Sequence, residues 1–339
     1  MKILAALTLL AAPAVAAAQD RHLQSPNGAI DVTIGQDSAT RGPTYAIAVH
    51  GRPVIDMSPL GLAFEAYKKL GPDTNVTGAV RTSVDTRYRL IAGKTSTARD
   101  HYNELTLNLI ETGGARRRLD IVFRVYDDGV AFRYRLPVQP GFTDLRLSGE
   151  LTEFAFPADY RCWGLNLGRF DTSHEGEYDP VQASQVRPHN LFEMPVTCRT
   201  GAGDTSFAIT DADLHDYAGA YLTGRETGAL GFATRLTPRL DDAGIAVKAN
   251  VRTTGLVTPW RVVMLADTPG KLIESTILTS LNPAPKGDFA WVEPGKTAWD
   301  WWNGPTLRAL PGGAGMNDAT IKAYIDFAAA NSLPYMLID

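Results

Sequence analysis

The chain has 339 residues, of which 44% are hydrophobic and 21% charged, and its formal net charge is −4. This composition is that of a globular protein and excludes a disordered or fibrous one. The one basic run, Arg116-Arg117-Arg118, closely follows a Gly-Gly turn and is interpreted as a solvated loop, so the sequence argues against nucleic-acid binding.

The N-terminus has the pattern of a secretory signal peptide. Lys2 precedes an apolar run over residues 3–15, and Ala16-Ala17-Ala18 fits the small-x-small cleavage pattern. The run is shorter than the roughly 18 apolar residues that a membrane-spanning helix needs. We therefore expect residues 1–18 to be removed, no stable membrane anchor to remain, and the mature protein to be periplasmic or secreted.

Residues from about 20 to 265 follow a period of two, which is typical of β-strands. Ile30, Val32 and Ile34 alternate with polar residues, for example. The clearest hairpin covers residues 119–136 around the Asp-Asp-Gly turn at 127–129, with one face predicted to be buried and the other solvated. Many short strands separated by Gly, Pro and Asp turns predict a large antiparallel β-sandwich.

A long polar segment at residues 161–195 interrupts the strand pattern. Such an excursion is either functional or a surface loop. Cys162 and Cys198, the only cysteines, flank it. In an oxidising compartment they could form a disulfide that closes a loop of about 36 residues and stabilises the fold by roughly 3–4 kcal/mol. Two buried free thiols are the alternative.

The pattern changes after residue 264. Pro269 starts a predicted helix with Leu272, Ile273, Ile277 and Leu281 on one face. Residues 282–289, which are rich in proline, are predicted to be a linker.

Residues 290–339 have the pattern of an α/β unit. Residues 297–302 are short, apolar and aromatic, as a barrel strand should be, and residues 335–338 resemble a fully buried strand. Between them Asn317 or Asp318 caps a predicted helix with an apolar stripe, formed by Ile321, Tyr324, Ile325 and Ala328. A strand, a helix and a second strand open a parallel (β/α)8 barrel, which needs about 250 residues, so the barrel is predicted to be incomplete.

Several segments in this order resemble glycoside hydrolase family 97. The run over residues 293–303 (Glu-Pro-Gly-Lys-Thr-Ala-Trp-Asp-Trp-Trp-Asn) is similar to the entry to the catalytic barrel of that family. Segments 25–28, 58–61, 126–134 and 210–214 are similar to its N-terminal domain. The resemblance covers essentially all of residues 20–339.

The resemblance implies an exported, calcium-dependent, exo-acting α-glucosidase or α-galactosidase that acts on oligosaccharides. It implies an N-terminal β-supersandwich over residues 19–281 and the start of the catalytic barrel over residues 290–339. The catalytic carboxylates of the family come from later barrel strands, so none is expected in this chain, which is predicted to be inactive alone. The residues leave open glucose or galactose, retention or inversion, and the oligomeric state. A non-catalytic carbohydrate-binding or mutarotase-like sandwich is the alternative, although such a module needs no part of a barrel.

Candidate sugar contacts lie at the start of the predicted barrel. Tryptophan faces stack on sugars, and Asp and Asn side chains bind hydroxyls. Because barrel active sites lie at the carboxyl ends of strands, Trp302, Asn303 and Asp339 are preferred as substrate-binding residues over Asp300, which is predicted to lie within a strand. A role of the tryptophans in the barrel core is the alternative.

The family resemblance also suggests one metal ligand. The sandwich of this family lends a glutamate to the calcium site from an aromatic-Glu-x-x-Tyr segment, and residues 174–178 (His-Glu-Gly-Glu-Tyr) fit that spacing with histidine in place of the aromatic. Glu175, rather than Glu177, is therefore the predicted calcium ligand. Calcium takes about six to eight oxygen ligands, so one glutamate is far from sufficient.

Overall fold

The computed structural model describes residues 22–140, 142, 144–201, 205–302, 304, 307, 310 and 313–339. The chain forms two compact units. The first comprises the residues up to Tyr88 together with Ala98–Pro283, and the second comprises Arg89–Thr97 and Ala284–Asp339. The predicted signal peptide and Asn303 lie outside the described residues. Within these ranges no helix is long and apolar enough to cross a membrane.

The first unit consists mainly of short strands. In chain order these are β1 (His22–Gln24), β2 (Ile30–Gln36), β3 (Pro43–Val49), β4 (Arg52–Pro59), β5 (Leu62–Phe64), β6 (Thr74–Arg89), β7 (Thr97–Glu111), β8 (Arg118–Tyr126), β9 (Gly129–Leu136), β10 (Asp144–Glu150), β11 (Glu153–Ala155), β12 (Arg161–Gly164), β13 (Asp179–Gln182), β14 (Val196–Arg199), β15 (Ser206–Ala212), β16 (Ala220–Gly224), β17 (Gly231–Leu236), β18 (Val247–Asn250), β19 (Leu256–Val257) and β20 (Trp260–Ala266). A 3₁₀ turn (Ala183–Gln185) and two short helices, α1 (Pro269–Leu272) and α2 (Ile277–Leu281), complete it.

These strands form two large sheets and one small sheet in the described residues. The larger sheet has the order β13-β12-β14-β15-β20-β9-β8-β7-β6, with β19 paired to β9. The second has the order β1-β2-β3-β4-β11-β17-β16, and the small sheet has the order β18-β10-β5. Strands that are distant in the sequence are therefore neighbours in the larger sheet.

Alternating side chains of both large sheets meet in one apolar core. At its centre the ring of Tyr45 from β3 lies 4.7 Å from that of Phe132 in β9 and 6.5 Å from that of Phe154 in β11, measured between centroids. The Tyr45 hydroxyl donates to the Glu153 carbonyl oxygen at 2.9 Å, which satisfies its polar end. The antiparallel sandwich predicted from the period of two is confirmed.

The predicted hairpin of β8 and β9 is present, with Phe123 directly opposite Phe132. Gly129 follows the turn because a side chain there would collide with its neighbours. A Cβ at Gly129 would lie 2.7 Å from the Val263 carbonyl oxygen and 2.9 Å from a methyl group of Ile277. The Asp-Asp-Gly sequence therefore serves both the turn and the packing of α2.

The alternation predicted that the second face of this hairpin is solvated. In the structure this face is buried. Val122, Tyr126 and Ala131 are buried there in a second apolar cluster, which also contains Trp260 and residues of α1 and α2. The physical reason is that the short helices cover this face of the larger sheet. The prediction of one continuous helix from Pro269 is also wrong, because the chain forms two short helices and Ile273 between them is 67% exposed.

The basic run at residues 116–118 is not a solvated loop throughout. Arg117 is buried, and its guanidinium forms an ion pair with Glu111 at 2.6 Å. Three aromatic rings lie 5.1–6.0 Å from the same guanidinium, those of Phe64, Tyr67 and Phe142. Stacking and pairing compensate the buried charge. The central cation of the run is thus used inside the fold.

A second buried ion pair joins the small sheet to the larger one. Arg261 of β20 donates from Nη2 to Glu150 Oε1 at 2.6 Å and from Nε to Oε2 at 3.1 Å, and both side chains are at most 1% exposed. Arg261 Nη1 also donates to Asp211 Oδ2 at 3.2 Å. Two hydroxyl groups donate to Glu150 at 3.0 Å, those of Tyr217 and Thr152. The buried carboxylate is therefore hydrogen-bonded at both oxygens.

The electrostatics of this network favour the charged form of Arg261. Burial disfavours the Arg261 charge, but the contacts with Glu150, Tyr217 and Asp211 together outweigh burial, and the pKa of Arg261 lies above its ordinary value. Burial raises the pKa of Asp211, although the positive charge of Arg261 acts in the opposite direction. Burial also raises the pKa of Tyr217 well above its ordinary value. The Arg261 guanidinium therefore stays charged at the centre of the network, and the neutral Tyr217 hydroxyl lies beside it.

Replacing Glu150 with glutamine is expected to lower the free energy of unfolding by about 3–5 kcal/mol, because the Arg261 charge then remains buried without its carboxylate. Glu274→Gln is the matched control, since it removes one partner of an exposed ion pair with Lys271 and is expected to cost less than about 1 kcal/mol. Urea unfolding followed by tryptophan fluorescence measures both changes. Equal losses in the two variants would contradict the role assigned to the buried pair.

The two cysteines lie on neighbouring strands of the larger sheet. Cys162 of β12 is directly opposite Cys198 of β14, and a disulfide joins them. Both residues are fully buried in the core. The bond closes the base of the irregular segment that separates the two strands.

Reduction of this disulfide is expected to lower the free energy of unfolding by roughly 3–4 kcal/mol, because it releases a closed loop of 36 residues in the unfolded chain. Thermal or urea unfolding with and without dithiothreitol measures the loss. A Cys162→Ala/Cys198→Ala variant should show no effect of dithiothreitol. A similar response in that variant would mean that the reductant acts elsewhere.

The second unit contains a parallel strand pair joined by a helix. Its elements are β21 (Thr297–Trp299), α3 (Asp318–Ala330) and β22 (Tyr335–Leu337), with Trp299 opposite Leu337. The helix begins after Asn317, whose side chain accepts a hydrogen bond from the Thr320 amide at 2.9 Å. The predicted strand–helix–strand order is therefore present.

Burial in this unit differs from the prediction. Tyr335 and Leu337 are 42% and 47% exposed, so β22 is not a fully buried strand. Ile325 of the predicted apolar stripe is also exposed, whereas Ala328 is buried. The reason is that β21 is the single strand neighbour of β22 among the described residues, so the apolar surfaces lack further layers.

Candidate functional site

The carboxyl ends of β21 and β22 bring two acidic residues together. Both strands run in the same direction, so the residues that follow them lie at one edge of the pair. The Trp299 indole N–H donates to Asp339 Oδ2 at 3.2 Å, and the Asp339 amide donates to Asp300 Oδ1 at 3.4 Å. Asp300, Asp339 and Trp299 thus form one connected group.

Asp300 lies in a different place from the one predicted. The strand ends at Trp299 and not at Trp302, so Asp300 is a turn residue directly after the strand. It is only 2% exposed, which is unusual for a carboxylate. A buried acceptor that receives the Asp339 amide is suited to hold the chain after β22 in position.

The tryptophans after the strand are exposed. The Trp302 side chain is 80% exposed, and its ring meets that of Trp299 edge to face, with centroids 6.0 Å apart and planes inclined at 74°. Trp301 is 56% exposed. Exposed indole faces can stack on the C–H faces of a sugar ring, and the neighbouring exposed carboxylate of Asp339 can accept from its hydroxyls.

Trp299 is the residue that the sequence pattern does not single out. Its position as the last residue of β21 is the available signal, because the parallel register places Leu337 opposite it and Asp339 two residues further. Its indole N–H then reaches the Asp339 carboxylate. Asn303, the remaining predicted contact, lies outside the described residues.

The predicted calcium ligand lies in the first unit. Glu175 is exposed in the irregular segment between β12 and β13. The adjacent His174 has Nδ1 3.1 Å from Glu193 Oε1, and its ring lies 6.2 Å from that of Tyr221. No group of three or more His, Cys, Asp or Glu side chains suited to a metal occurs in the part of the chain that the structure describes. Since calcium takes about six to eight oxygens, these residues alone do not fit a calcium site.

The role of Asp300 can be measured without a ligand. Asp300→Leu removes the acceptor of the Asp339 amide and is expected to accelerate amide hydrogen exchange in the C-terminal peptide by about fivefold, the equivalent of one ordinary hydrogen bond. Asp300→Asn keeps an acceptor oxygen and should exchange nearly as slowly as the unmodified protein. The exposed Trp302→Leu serves as the control for a neighbouring change. Exchange mass spectrometry that finds all three alike would show that Asp300 does not hold this segment.

Comparison with known proteins identifies relatives over nearly all of the chain. The family model described as glycosyl-hydrolase 97 N-terminal matches residues 23–284. A retaining α-galactosidase of Bacteroides thetaiotaomicron is 30% identical, over 94% of this chain and 49% of the relative. A probable retaining α-galactosidase of Streptomyces bingchenggensis is also 30% identical, over 89% of this chain and 43% of the relative.

Solved structures agree with these sequence relatives. A variant of a glycoside hydrolase family 97 enzyme from Pseudoalteromonas sp. strain K8, in complex with panose, is 28% identical and has a TM-score of 0.83. The match covers 94% of this chain and 47% of that enzyme. The chain therefore spans about half the length of the relatives that it matches. Because the family's N-terminal model covers most of its residues, the chain belongs to glycoside hydrolase family 97.

Proposed function

We propose that this chain is the N-terminal half of an exo-acting α-glycosidase that releases terminal α-linked galactose or glucose from oligosaccharides. The observation that carries the proposal is the junction of Trp299, Asp300 and Asp339 at the carboxyl edge of a parallel strand pair, in a chain of family 97. That edge is where α/β barrels hold their substrates. Galactose is the preferred sugar, since two relatives are named as retaining α-galactosidases.

The three residues differ in exposure and therefore in proposed role. Asp339 is exposed, and its carboxylate can accept a hydrogen bond from a sugar hydroxyl while it also accepts from Trp299. Asp300 is buried and acts as a positioning residue for Asp339. The exposed ring of Trp302 supplies a stacking surface.

The bond-breaking groups are proposed to lie beyond Asp339. Glycoside hydrolysis uses two carboxyl groups, one of which protonates the leaving oxygen, and in retaining enzymes the second, which lies about 5–5.5 Å from the first, attacks the anomeric carbon. On the basis of the family resemblance, we propose that both groups come from later barrel strands. Retention is the proposed outcome, since both α-galactosidase relatives are named as retaining. The 339-residue chain alone is accordingly proposed to be inactive.

Calcium remains a proposal for the longer enzyme. Glu175 is exposed and has the hard oxygen donors that calcium prefers, so it can contribute one ligand. The other ligands would have to come from outside the described residues, and no catalytic step is assigned to the metal.

Export is proposed from the N-terminal sequence. The apolar run over residues 3–15 and the small residues 16–18 support cleavage of a signal peptide. The disulfide between Cys162 and Cys198 fits an oxidising compartment such as the periplasm or the extracellular medium.

A non-catalytic carbohydrate-binding sandwich is the second candidate function. It would explain the exposed tryptophans and the β-sandwich. The parallel pair of β21 and β22, joined by α3, argues against it because a binding module needs no such unit.

Assays with aryl α-galactosides and aryl α-glucosides test the proposal. The protein extended beyond Asp339 is expected to hydrolyse the galactoside faster, and the 339-residue chain is expected to hydrolyse neither. In the extended protein Asp339→Asn should lower kcat/KM about tenfold or more, since a hydrogen bond to a charged acceptor is weakened. Tyr335→Phe, a change on β22 that removes one hydroxyl, is the control.

Each outcome of these assays bears on a separate claim. Turnover by the 339-residue chain would overturn its proposed inactivity. Binding of galactosides without turnover by the extended protein would favour the non-catalytic alternative. An unchanged kcat/KM in Asp339→Asn would remove Asp339 from the substrate site but leave the glycosidase assignment intact.

A further inference from the structure

Strand β6 is a long edge of the larger sheet. It has 16 residues and is the last strand in the order of that sheet among the described residues. Most of its side chains are exposed, including Val76 at 54% and Val80 at 56%. A long edge strand presents a row of backbone N–H and C=O groups that another strand can pair with.

We propose that β6 pairs antiparallel with β6 of a second copy of this chain, around a two-fold axis at Ser83. In this register Arg81 lies opposite the partner's Asp85, and Asp85 lies opposite the partner's Arg81. The contact is isologous, as in most homodimers. It would join the two larger sheets into one continuous sheet.

The spacing of charges on β6 favours this register. Arg81 and Asp85 are four residues apart, so their side chains emerge on the same face of the strand. Centring the pair on Ser83 creates two Arg–Asp contacts and gives a partner to every residue from 77 to 89. Centring it on Val84 instead places Arg81 opposite the partner's Arg87, which is unfavourable.

A second register is also electrostatically favourable but much shorter. Centring the pair on Thr86 places Asp85 opposite the partner's Arg87. Since β6 ends at Arg89, that arrangement pairs only residues 83–89. The register centred on Ser83 is therefore the one that combines complementary charge with the longer ladder.

The other face of the strand fits the same register. Val80 lies opposite the partner's Thr86, and Thr82 lies opposite the partner's Val84. Pairs of β-branched residues are favourable across antiparallel strands. Both faces of the proposed pair therefore carry compatible side chains.

Contacts within the chain hold the two charged groups at this edge. Asp85 accepts from Arg99 Nε at 2.7 Å and from Arg99 Nη2 at 2.8 Å, and Arg81 Nη2 donates to the His22 carbonyl oxygen at 2.6 Å. The hydrogen bond from Arg99 lowers the pKa of Asp85 to about 2, so its carboxylate is ionised at neutral pH. Asp85 remains half exposed and can accept from a second guanidinium.

Charge on edge strands normally prevents such pairing. Native sheets place charged residues on their edges so that two edges repel each other. On β6 the opposite charges at positions 81 and 85 make one register attractive and the register centred on Val84 repulsive. This self-complementarity favours a second copy of the chain, rather than another protein, as the partner of β6.

Sedimentation equilibrium of the mature chain tests the proposal. The unmodified protein is expected to dimerise. Arg81→Asp and Asp85→Arg should each raise the dimer dissociation constant about tenfold or more, because two attractive pairs become repulsive. An equimolar mixture of the two variants should recover the dimer, because each aspartate then faces an arginine. Arg89→Asp is the control, since residue 89 lies opposite the partner's uncharged Thr77, and the residues diagonal to it, Asn75 and Ala79, are also uncharged.

A cysteine at the axis tests the register itself. Ser83→Cys should give a disulfide-linked dimer under mild oxidation, whereas Thr86→Cys should not, because the two copies of residue 86 are far apart in this register. Cross-linking through Thr86→Cys instead would overturn the register. A monomeric unmodified chain, or a dimer that neither Arg81→Asp nor Asp85→Arg weakens, would overturn the proposal. Misfolded variants would not form a dimer when they are mixed. Recovery of the dimer in the mixture therefore distinguishes loss of the charge contacts from misfolding.

Discussion

The buried ion pair between Arg261 and Glu150 is the constraint on which the packing of the sheets depends. Glu150 ends a strand of the small sheet and Arg261 lies in the middle of the larger one. Neither charge has access to water, so any arrangement that separates them leaves an uncompensated charge in the interior. Hydrophobic burial alone does not fix the position of one sheet relative to the other. The ion pair does so, because it requires Glu150 and Arg261 to lie next to each other. Thr152 and Tyr134, linked by a hydroxyl–hydroxyl contact of 2.7 Å, extend that alignment to β9.

Much of the sandwich can be predicted from alternation, because strands such as β2 bury every second residue. The prediction fails where a neighbour comes from far along the chain. Val122 and Tyr126 are buried because α1 and α2 pack over them. The sequence around these two residues does not predict that packing. Arg117 is a similar case, since its aromatic neighbours Phe64 and Phe142 lie far from it in sequence. Periodicity predicts which residues share a face of a strand, but tertiary contacts determine whether that face is exposed to solvent.

The candidate site was predictable in position more than in detail. The rule that ligands meet the carboxyl ends of parallel strands places the candidate site at the strand edge that contains Asp339, where the Trp299 indole N–H donates to the Asp339 carboxylate. Whether Asp300 or Trp302 lies at the strand end depends on where β21 ends. A run of aromatic residues does not show at which residue a strand ends. Because the strand stops at Trp299, Asp300 is at its end and becomes the buried support of the site. The contribution of Glu175 depends on ligands from other parts of the protein, which local sequence cannot supply.

The place of β20 in the larger sheet has a consequence for how the protein acquires its structure. Trp260–Ala266 lies between β9 and β15, although these strands precede it by many residues in the chain. As synthesis proceeds from the N-terminus, β9 and β15 are made before β20, the strand that pairs with both of them. Until β20 is made, each has an unpaired edge, and such edges favour aggregation. Closure of the sheet then requires distant segments to meet, and such non-local pairing is slow. The sandwich is therefore expected to fold late and as a whole, and during that interval it needs protection from association with other nascent chains.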